Sequence, residues 1–261
     1  MSEDNNGGYS IYAPWSFNDS LYISYCNNVT GKDKIRLIIH DKEGTVLKKY
    51  PNYLEYKNDT GDLNAFNNGI FYNYNDRTYF KEFNYNDTVF CVNETEMSPH
   101  IVFKLGDKQP SYYDQNNVDR LMGKYLISLV YESTSFILFN FSHHPEIIKI
   151  ADFKSLGIGT VHTGYYDKKS KQVFISSSPA LERSGGYTIS GIPASFYPIS
   201  INKSNEMIGK MDPMELLANK ERISSKYIDI FKNIQEGDNP IVIIAKLSDD
   251  TIVPLNSQIV L

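Results

Sequence analysis

A short phrase that occurs twice constrains the fold of this chain most. Residues 85–92 read Tyr-Asn-Asp-Thr-Val-Phe-Cys-Val, and residues 17–24 read Phe-Asn-Asp-Ser-Leu-Tyr-Ile-Ser. Asn and Asp side chains hydrogen-bond nearby backbone groups in tight turns, and the β-branched and aromatic residues that follow suit a half-buried strand. A turn that starts a strand, used twice, predicts a repeated all-β unit.

The chain divides into four groups of short apolar runs, at about residues 9–56, 67–106, 123–178 and 193–247. Turn signals such as Asn75-Asp76 separate neighbouring runs, as in antiparallel hairpins. The predicted strands are 9–15, 21–26, 34–40, 45–50, 69–74, 77–83, 88–92, 100–105, 125–131, 136–141, 147–150, 162–166, 172–176, 196–201, 240–247 and 251–254.

One helix is predicted, inside the fourth group. The run 212–215 places Asp at the N-cap, Pro at the first helical position and Glu at the third. Gly237 ends the helix, and Pro240 prevents it from resuming. A helical insertion at 212–236 and a closing strand at 240–247 are therefore expected. The apolar residues that recur at helical spacing are Ile223, Tyr227, Ile230, Phe231 and Ile234.

The strand groups predict an all-β fold, a β-propeller of four-stranded antiparallel blades, with about four blades in this chain. We expect one propeller domain over residues 1–261. A β-sandwich is the alternative. It explains short strands equally well, but it explains neither the grouping into quartets nor the repeated turn.

Composition restricts the partners and the location. The net charge of −5 argues against a nucleic-acid backbone as partner. No apolar run reaches the roughly 18 residues that a transmembrane helix needs. The start, residues 1–8, is polar and acidic and has neither a basic nor an apolar signal segment. Location and oligomeric state stay open at this point.

The two cysteines, Cys26 and Cys91, each fall in a predicted strand. Buried free thiols are the favoured interpretation. A single disulfide is the alternative, because sequence alone cannot place the two residues close together. No metal-ligand spacing involves either cysteine.

The histidines do not form a recognisable site. The pair His143-His144 could bind a metal from a predicted loop, but no third ligand follows at a suitable spacing. His40 and His100 lie at strand ends, where structural roles are expected, and His162 begins a strand. None has a Ser or Cys partner identifiable by motif, so no catalytic, cofactor-binding or metal-binding residue is assigned, and no cofactor is expected.

Other polar motifs favour structural roles as well. The glycines at 157–159 and 184–187 do not precede a helix in a βαβ unit, so they are not phosphate loops. Asp249-Asp250 lacks the spaced oxygen ligands that calcium requires. Turn chemistry explains the seven Asn-X-Ser/Thr matches and also Asp87. Trp15 could stack on a sugar ring, although packing between blades is the commoner use.

Several phrases together resemble the six-bladed β-propeller proteins common in gut Bacteroidetes. They are 86–90, 125–128, 166–171, 191–198 and, most specific, the helix-to-strand phrase 237–247. The resemblance spans most of residues 10–247. It implies six blades, a lipoprotein-type export signal, a periplasmic or cell-surface location and a mostly uncharacterised function.

The chain departs from that family pattern in two respects, because it offers about four blades and has no lipobox cysteine. An N-terminally truncated member is therefore expected, with two blades and the signal upstream. The strand edges of an incomplete ring would be exposed, and exposed edges favour association with another chain.

The expected function is a non-catalytic binding or scaffold module for a protein, peptide or glycan partner outside the cytoplasm. A propeller-type hydrolase or lyase, with its site at the central channel, is the alternative. A third hypothesis is that the chain has no function of its own. Fold does not decide between them.

Overall fold

The computed structural model describes residues 14–26, 28, 31–54, 69–82, 86–111, 118–143, 147–150, 153–156, 160–175, 187–202, 204 and 206–246. The strands are β1 (Trp15–Ser16), β2 (Leu21–Tyr25), β3 (Ile35–Asp41), β4 (Val46–Pro51), β5 (Gly69–Tyr74), β6 (Arg77–Glu82), β7 (Thr88–Val92), β8 (Met97–Val102), β9 (Tyr125–Glu132), β10 (Phe136–His143), β11 (Ile147–Ile150), β12 (Phe153–Leu156), β13 (Thr160–Asp167), β14 (Gln172–Ile175), β15 (Tyr187–Ile189), β16 (Ile192–Ile201), β17 (Glu206–Met211) and β18 (Ile241–Lys246). The helices are α1 (Val118–Leu121), α2 (Pro213–Ala218) and α3 (Ile228–Phe231), and 3-10 turns lie at Gly106–Lys108 and Lys220–Arg222.

Four antiparallel sheets of four strands each dominate the described part of the chain. Sheet 1 has the order β1-β2-β3-β4, sheet 2 the order β5-β6-β7-β8, sheet 3 the order β14-β13-β10-β9, and sheet 4 the order β15-β16-β17-β18. The hairpin β11-β12 forms a separate two-stranded sheet. The all-β class and the grouping into blade-like quartets are therefore confirmed, and the strand at 147–150 is present.

The chain forms two compact units. The first unit comprises Met1–Leu129 and Ser142–Ile158, and the second comprises Val130–Phe141 and Gly159–Leu261. Sheets 1 and 2 belong to the first unit, and sheet 4 and helices α2 and α3 belong to the second. No helix in the described residues is both long and apolar enough to cross a membrane.

The core of the first unit joins sheets 1 and 2. Phe80 packs at its centre, 5.3 Å from the Tyr25 ring and 5.0 Å from the Phe71 ring. A Cβ on Gly69 would lie 2.3 Å from the Phe80 ring, so only glycine fits there. The buried members of this core are Ile23, Tyr25, Leu37, Ile39, Tyr50, Phe80 and Val92.

Asparagine turns start several of the strands. The Asn18 Oδ1 accepts hydrogen bonds from the N–H groups of Ser20 (3.0 Å) and Leu21 (2.9 Å), and the Asn86 Oδ1 accepts one from the Thr88 N–H at 2.9 Å. The side chains of Asn93 and Asn202 accept backbone N–H groups in the same way. Turn chemistry is therefore confirmed for four of the seven Asn-X-Ser/Thr matches.

The hairpin between β5 and β6 also follows the sequence prediction. Asn75 and Asp76 have φ angles of 48° and 57°, which are typical of the two central residues of a type I′ turn. Tyr74 pairs with Arg77 directly across this turn.

The predicted helical insertion at 212–236 is present, but as two short helices, α2 and α3, with a 3-10 turn between them, and not as the single helix that the spacing predicted. Asp212 does cap α2, and its side chain accepts the Met214 N–H at 2.8 Å. The chain then becomes extended at Ile223, with φ −68° and ψ 126°, and the Ser224 N–H donates to the Gly191 carbonyl at 2.9 Å. The apolar spacing serves the core of the second unit, where Ile223 and Phe231 are buried.

Three strands were not predicted, namely β12, β15 and β17. Strand β17 pairs with both β16 and β18, which closes sheet 4. Its Gly209 is weakly strand-forming, yet a Cβ there would lie 2.5 Å from the Phe196 ring. Strand β8 begins three residues before its predicted start. The predicted strand at 251–254 and residues 9–13 of the first predicted strand lie outside the described residues.

Candidate functional site

Polar side chains gather around Glu82, which is 3% exposed at the end of β6. The Tyr25 hydroxyl donates to Glu82 Oε1 at 2.8 Å. Asn86 Nδ2 donates to Oε2 at 3.4 Å, and Arg36 Nη2 lies 3.5 Å from the same oxygen. We call these four residues the Glu82 cluster. Its carboxylate has a partner on each oxygen, as a buried charge requires.

Arg36 links the Glu82 cluster to the end of sheet 1. Its Nη2 also donates to Asn52 Oδ1 at 3.4 Å, and its guanidinium carbon lies 5.9 Å from the centre of the Phe90 ring. The Nε atom is buried without a hydrogen-bond partner among the described residues. Because Arg36 lies in sheet 1 and Glu82 in sheet 2, this ion pair ties two neighbouring sheets.

Lys81 is fully buried next to this cluster. Its Nζ donates to the backbone carbonyls of Glu82 (2.7 Å), Asn86 (2.7 Å) and Ile127 (3.2 Å). Burial lowers the pKa of Lys81 to about 7, against the opposing charges of Glu82 and Asp87. An amine of that pKa could act as a base, but Lys81 is 0% exposed, and its ammonium form donates all three hydrogens to backbone carbonyls.

A Ser-His pair joins β2 and β3. Ser24 Oγ lies 3.0 Å from His40 Nε2, and His40 Nδ1 lies 2.8 Å from the Asp41 carbonyl. The pair resembles the nucleophile and base of a hydrolase, although no motif indicated it. The strand register explains the pair, because Tyr22 lies opposite His40 and Ser24 follows on the same face.

The burial of this pair restricts its chemistry. Ser24 is 0% exposed, so its hydroxyl cannot meet a substrate. The Asp41 carboxylate accepts the Thr45 N–H at 2.7 Å in the β3-β4 hairpin, a bond that lowers the pKa of Asp41. The hydrogen bonds of Ser24 and His40 therefore stabilise sheet 1 from within.

The cysteines are free thiols, so the favoured interpretation is confirmed. Cys26 is buried, and burial raises its pKa to about 12. Cys91 is only half-buried, so the expected burial holds for one of the two. The Cys26 thiol therefore lacks the lowered pKa of a reactive cysteine.

The histidines form no cluster in the part of the chain that the structure describes. His143 ends strand β10 instead of lying in a loop, and His144 lies outside the described residues. His100 is exposed, 4.4 Å from the Tyr79 ring, and His162 stacks on Phe141 at 5.4 Å. Among described residues, no three His, Cys, Asp or Glu side chains gather as metal ligands would. The motifs at 157–159, 184–186 and 249–250 lie outside the described residues.

Two other side chains follow the structural interpretation. Trp15 stacks on Phe71 with 6.4 Å between ring centres, and its Nε1 donates to Asn73 Oδ1 at 3.5 Å. It therefore packs sheet 1 against sheet 2. The Asp87 carboxylate accepts the Thr88 hydroxyl at 2.8 Å, which confirms that Asp87 is a turn residue.

A surface cleft of about 210 Å³ lies between the end of β4 and the turn that joins β7 to β8. The ring of Tyr53 is 83% exposed beside it. We call this feature the Tyr53 cleft. Its lining residues are Lys48, Lys49, Tyr50, Pro51, Tyr53, Thr95, Glu96 and Met97.

The walls of the Tyr53 cleft are held by hydrogen bonds. The Tyr50 hydroxyl donates to the Asn93 carbonyl, and burial together with the charge of Glu94 raises the pKa of Tyr50 to about 12, so the hydroxyl keeps its proton. The Asn93 Oδ1 accepts the N–H groups of Thr95 (2.9 Å) and Glu96 (3.0 Å). Both sides of the cleft are thus tied to one asparagine.

Both charged and aromatic side chains line this cleft. Lys48 Nζ lies 5.7 Å from the centre of the Tyr50 ring, close enough for a cation–π contact. Lys49 and Glu96 are exposed. The rim therefore offers ammonium donors, a carboxylate acceptor and an open aromatic face.

Comparisons with known proteins place these features in a family. A family model described as "Domain of unknown function (DUF4934)" matches residues 10–246. The crystal structure of the "Putative exported protein" from Bacteroides fragilis NCTC 9343 superposes with a TM-score of 0.57 at 12% identity. The match covers 92% of this chain and 66% of that one, slightly under two thirds of its length. At this identity the likeness shows the fold alone.

No curated protein matches the chain significantly. The expected kinship with uncharacterised Bacteroidetes proteins agrees with both matches, while the six-bladed ring stays a prediction. Because the family model covers most of the chain, this chain belongs to the DUF4934 family of domains of unknown function.

Proposed function

We propose that this chain is a non-catalytic binding module outside the cytoplasm, and that it holds a carbohydrate at the Tyr53 cleft. The observation that carries the proposal is the exposed Tyr53 ring beside a cleft with both ammonium and carboxylate groups. The four sheets are then consecutive blades of a β-propeller that forms one domain.

The chemistry of the rim matches a sugar. One face of a pyranose ring presents C–H groups that pack on an aromatic ring. Its hydroxyls both donate and accept hydrogen bonds, so they match the ammoniums of Lys48 and Lys49 as donors and the Glu96 carboxylate as acceptor. A ligand that carries only one sign of charge would be repelled by part of this rim, because the rim carries both ammonium and carboxylate groups.

The size and rigidity of the cleft fit one sugar unit of a longer chain. At about 210 Å³ it is smaller than the ~300–1,000 Å³ of typical small-molecule sites. The Asn93 turn and the Tyr50 hydroxyl bond hold its walls before any ligand arrives, and a preformed site loses less entropy on binding.

The enzyme alternative finds less support in the geometry. The Ser24 hydroxyl and the Lys81 amine are each 0% exposed and are held by internal partners. A catalytic group must come within hydrogen-bond reach of its substrate. The buried Ser24 and Lys81 groups are therefore suited to stabilising the sheets, whereas the exposed groups at the Tyr53 cleft are suited to binding a ligand.

The location outside the cytoplasm rests on similarity. The structural neighbour is described as an exported protein, and the sequence phrases resemble an exported family. A protein outside the cytoplasm can contact carbohydrate polymers. Fractionation of cells that produce the full-length protein, with antibody detection, tests this part of the proposal separately from ligand binding.

The binding proposal is tested with the purified chain on a glycan array, followed by calorimetry with the best oligosaccharide. We expect Tyr53→Ala to weaken binding about fivefold or more, since an aromatic contact is worth ~1 kcal/mol or more, and Tyr53→Phe to keep most of the affinity. Leu47→Ala is the matched control, because Leu47 is 58% exposed on β4 but does not line the cleft. Binding of no glycan, or equal binding by Tyr53→Ala, would overturn the proposal.

A further inference from the structure

Tyr53, the exposed aromatic residue of the Tyr53 cleft, is fixed through its main chain. Its ring is 83% exposed, so few neighbouring atoms restrain the ring itself. The main chain on both sides of it is bonded by two buried asparagines, Asn52 and Asn28, which are 6% and 1% exposed. The direction in which the ring leaves the chain therefore depends on the contacts of these asparagines.

Asn52 bonds to three neighbouring segments of the main chain. Its backbone N–H donates to the Lys34 carbonyl at 2.7 Å, and its Nδ2 donates to the Asp33 carbonyl at 3.0 Å. Its Oδ1 accepts the Leu54 N–H at 3.1 Å. A bond from an asparagine side chain to the N–H two residues later is an Asx-turn. Tyr53 is the central residue of this turn.

Asn28 bonds to the main chain that follows Tyr53. Its Nδ2 donates to the Leu54 carbonyl at 3.2 Å, and its Oδ1 accepts the Asp33 N–H at 2.9 Å. The N–H and the carbonyl of Leu54 are thus each bonded to the amide of a buried asparagine. Leu54 cannot move away without breaking one of these bonds and leaving a buried polar group unsatisfied, which lowers stability.

Arg36 fixes the orientation of the Asn52 amide. Its Nη2 donates to Asn52 Oδ1 at 3.4 Å and lies 3.5 Å from Glu82 Oε2. A rotated amide would direct its NH2 group at two donors, Arg36 and the Leu54 N–H, and an amide NH2 group cannot accept a hydrogen bond. One orientation alone therefore satisfies every partner, and the ion pair with Glu82 holds Arg36 in place.

We propose that Asn52 is a positioning residue for ligand binding, which holds the main chain of Tyr53 so that the aromatic ring lies beside the cleft before a carbohydrate arrives. The inference rests on the proposed function, because it concerns the same cleft. Asn52 is not among the residues that line the cleft, so it acts through Tyr53 and does not touch the ligand. A ring that is fixed in advance loses less conformational freedom on binding, which strengthens the affinity.

A double-mutant cycle tests the proposal, by calorimetry with the oligosaccharide that binds best on the glycan array. We expect Asn52→Ala to weaken binding about threefold or more, since ordering one side chain on binding costs about that factor. In the Tyr53→Ala chain the same substitution should change the affinity by less than about twofold, because the residue through which it acts is absent. Equal weakening in both chains, or no weakening in the wild type, would overturn the proposal.

Asn18→Ala is the matched control for stability. Asn18 forms a comparable turn before β2, where its Oδ1 accepts the N–H groups of Ser20 and Leu21, and it does not line the cleft. This substitution should lower the stability and leave the affinity unchanged. If it weakens binding as much as Asn52→Ala does, general destabilisation explains both losses and the proposal is wrong.

Amide hydrogen exchange in the ligand-free wild-type chain tests the positioning separately from binding, and it does not depend on whether Asn52→Ala folds. The Leu54 N–H should exchange about tenfold or more slowly than in an unstructured peptide, because Asn52 Oδ1 accepts it. Exchange at the unstructured rate would overturn the proposal, whether or not the cleft binds a carbohydrate. Slow exchange in a chain that binds no glycan would overturn the proposed function and support only the fixing of Tyr53 by Asn52.

Discussion

At the scale of single residues, the first unit contains three neighbouring charged side chains that are buried. Arg36, Lys81 and Glu82 are all at most 6% exposed. Removing an ion from water is costly unless polar partners replace the water. Here the partners come from both sheets and from backbone carbonyls, so the charges tie segments that are distant in sequence.

Glu82→Gln is expected to destabilise the chain by about 3 kcal/mol, because it leaves the buried Arg36 charge without its ion-pair partner. Denaturant unfolding followed by fluorescence measures the loss. Asp229→Asn is the control, since Asp229 pairs with Lys232 at 3.4 Å but its side chain is 92% exposed, and exposed pairs contribute little. Equal effects of the two changes would contradict an energetic role for burial.

Lys81 should make stability rise with pH. Its pKa is about 7 in the folded chain and ~10.4 when unfolded, so between these values the unfolded chain binds the extra proton. The free energy of unfolding therefore gains up to ~1.4 kcal/mol per pH unit from this group. Below about pH 7 the group contributes no slope.

The measurement compares wild-type and Lys81→Met chains by urea unfolding across this pH range. The difference in unfolding free energy between them should move in favour of the wild type as pH rises. Lys169→Met, at an exposed turn lysine, should keep a constant difference. A constant difference for Lys81→Met as well would mean that the three carbonyls keep Lys81 protonated.

At the scale of elements, local chemistry was predictable wherever it acts within a few residues. The Asn-Asp turns, the type I′ hairpin at Asn75-Asp76 and the cap at Asp212 are all set by neighbouring atoms. The predicted helix failed because a distant bond overrides its propensity, as Ser224 bonds to Gly191. Strand β17 was not predicted because Gly209 is weakly strand-forming. The glycine is explained by the Phe196 ring, which leaves no room for a Cβ at this position.

The candidate site could not be predicted from the sequence for the same reason, because its residues come together only through long-range packing. Tyr53 and Glu96 meet across the Tyr53 cleft only because sheets 1 and 2 pack together. Lys81 reads as an ordinary surface lysine in the sequence, and its burial follows from backbone carbonyls of three segments. The Ser24-His40 pair was the nearest to a predictable feature, because correct strand pairing alone places both on one face.

Asn18→Ala should destabilise the chain by about 1 kcal/mol, since the Asn18 Oδ1 accepts two backbone N–H groups at the start of β2. Thermal unfolding measures the change. Asp19→Ala, at the exposed next residue of the same turn, should have a smaller effect. If both substitutions cost the same, the turn depends on general polarity and not on the asparagine bonds.

At the scale of the whole molecule, the described chain divides into two compact units, whereas the proposed function assumes one propeller domain. The chain crosses from the first unit to the second between Leu129 and Val130, inside strand β9. Independent domains are instead joined by exposed linkers that few contacts cross. A unit boundary inside a strand differs from such a linker.

Calorimetry decides between one cooperative domain and two. We expect one transition with equal calorimetric and van't Hoff enthalpies, and for 261 residues an enthalpy near ~180 kcal/mol. Glu82→Gln in the first unit and Gly209→Ala in the second should each lower the midpoint of that single transition, because Gly209→Ala places a Cβ 2.5 Å from the Phe196 ring. If instead each substitution shifts a separate transition, the two units unfold independently and the single-domain proposal is wrong.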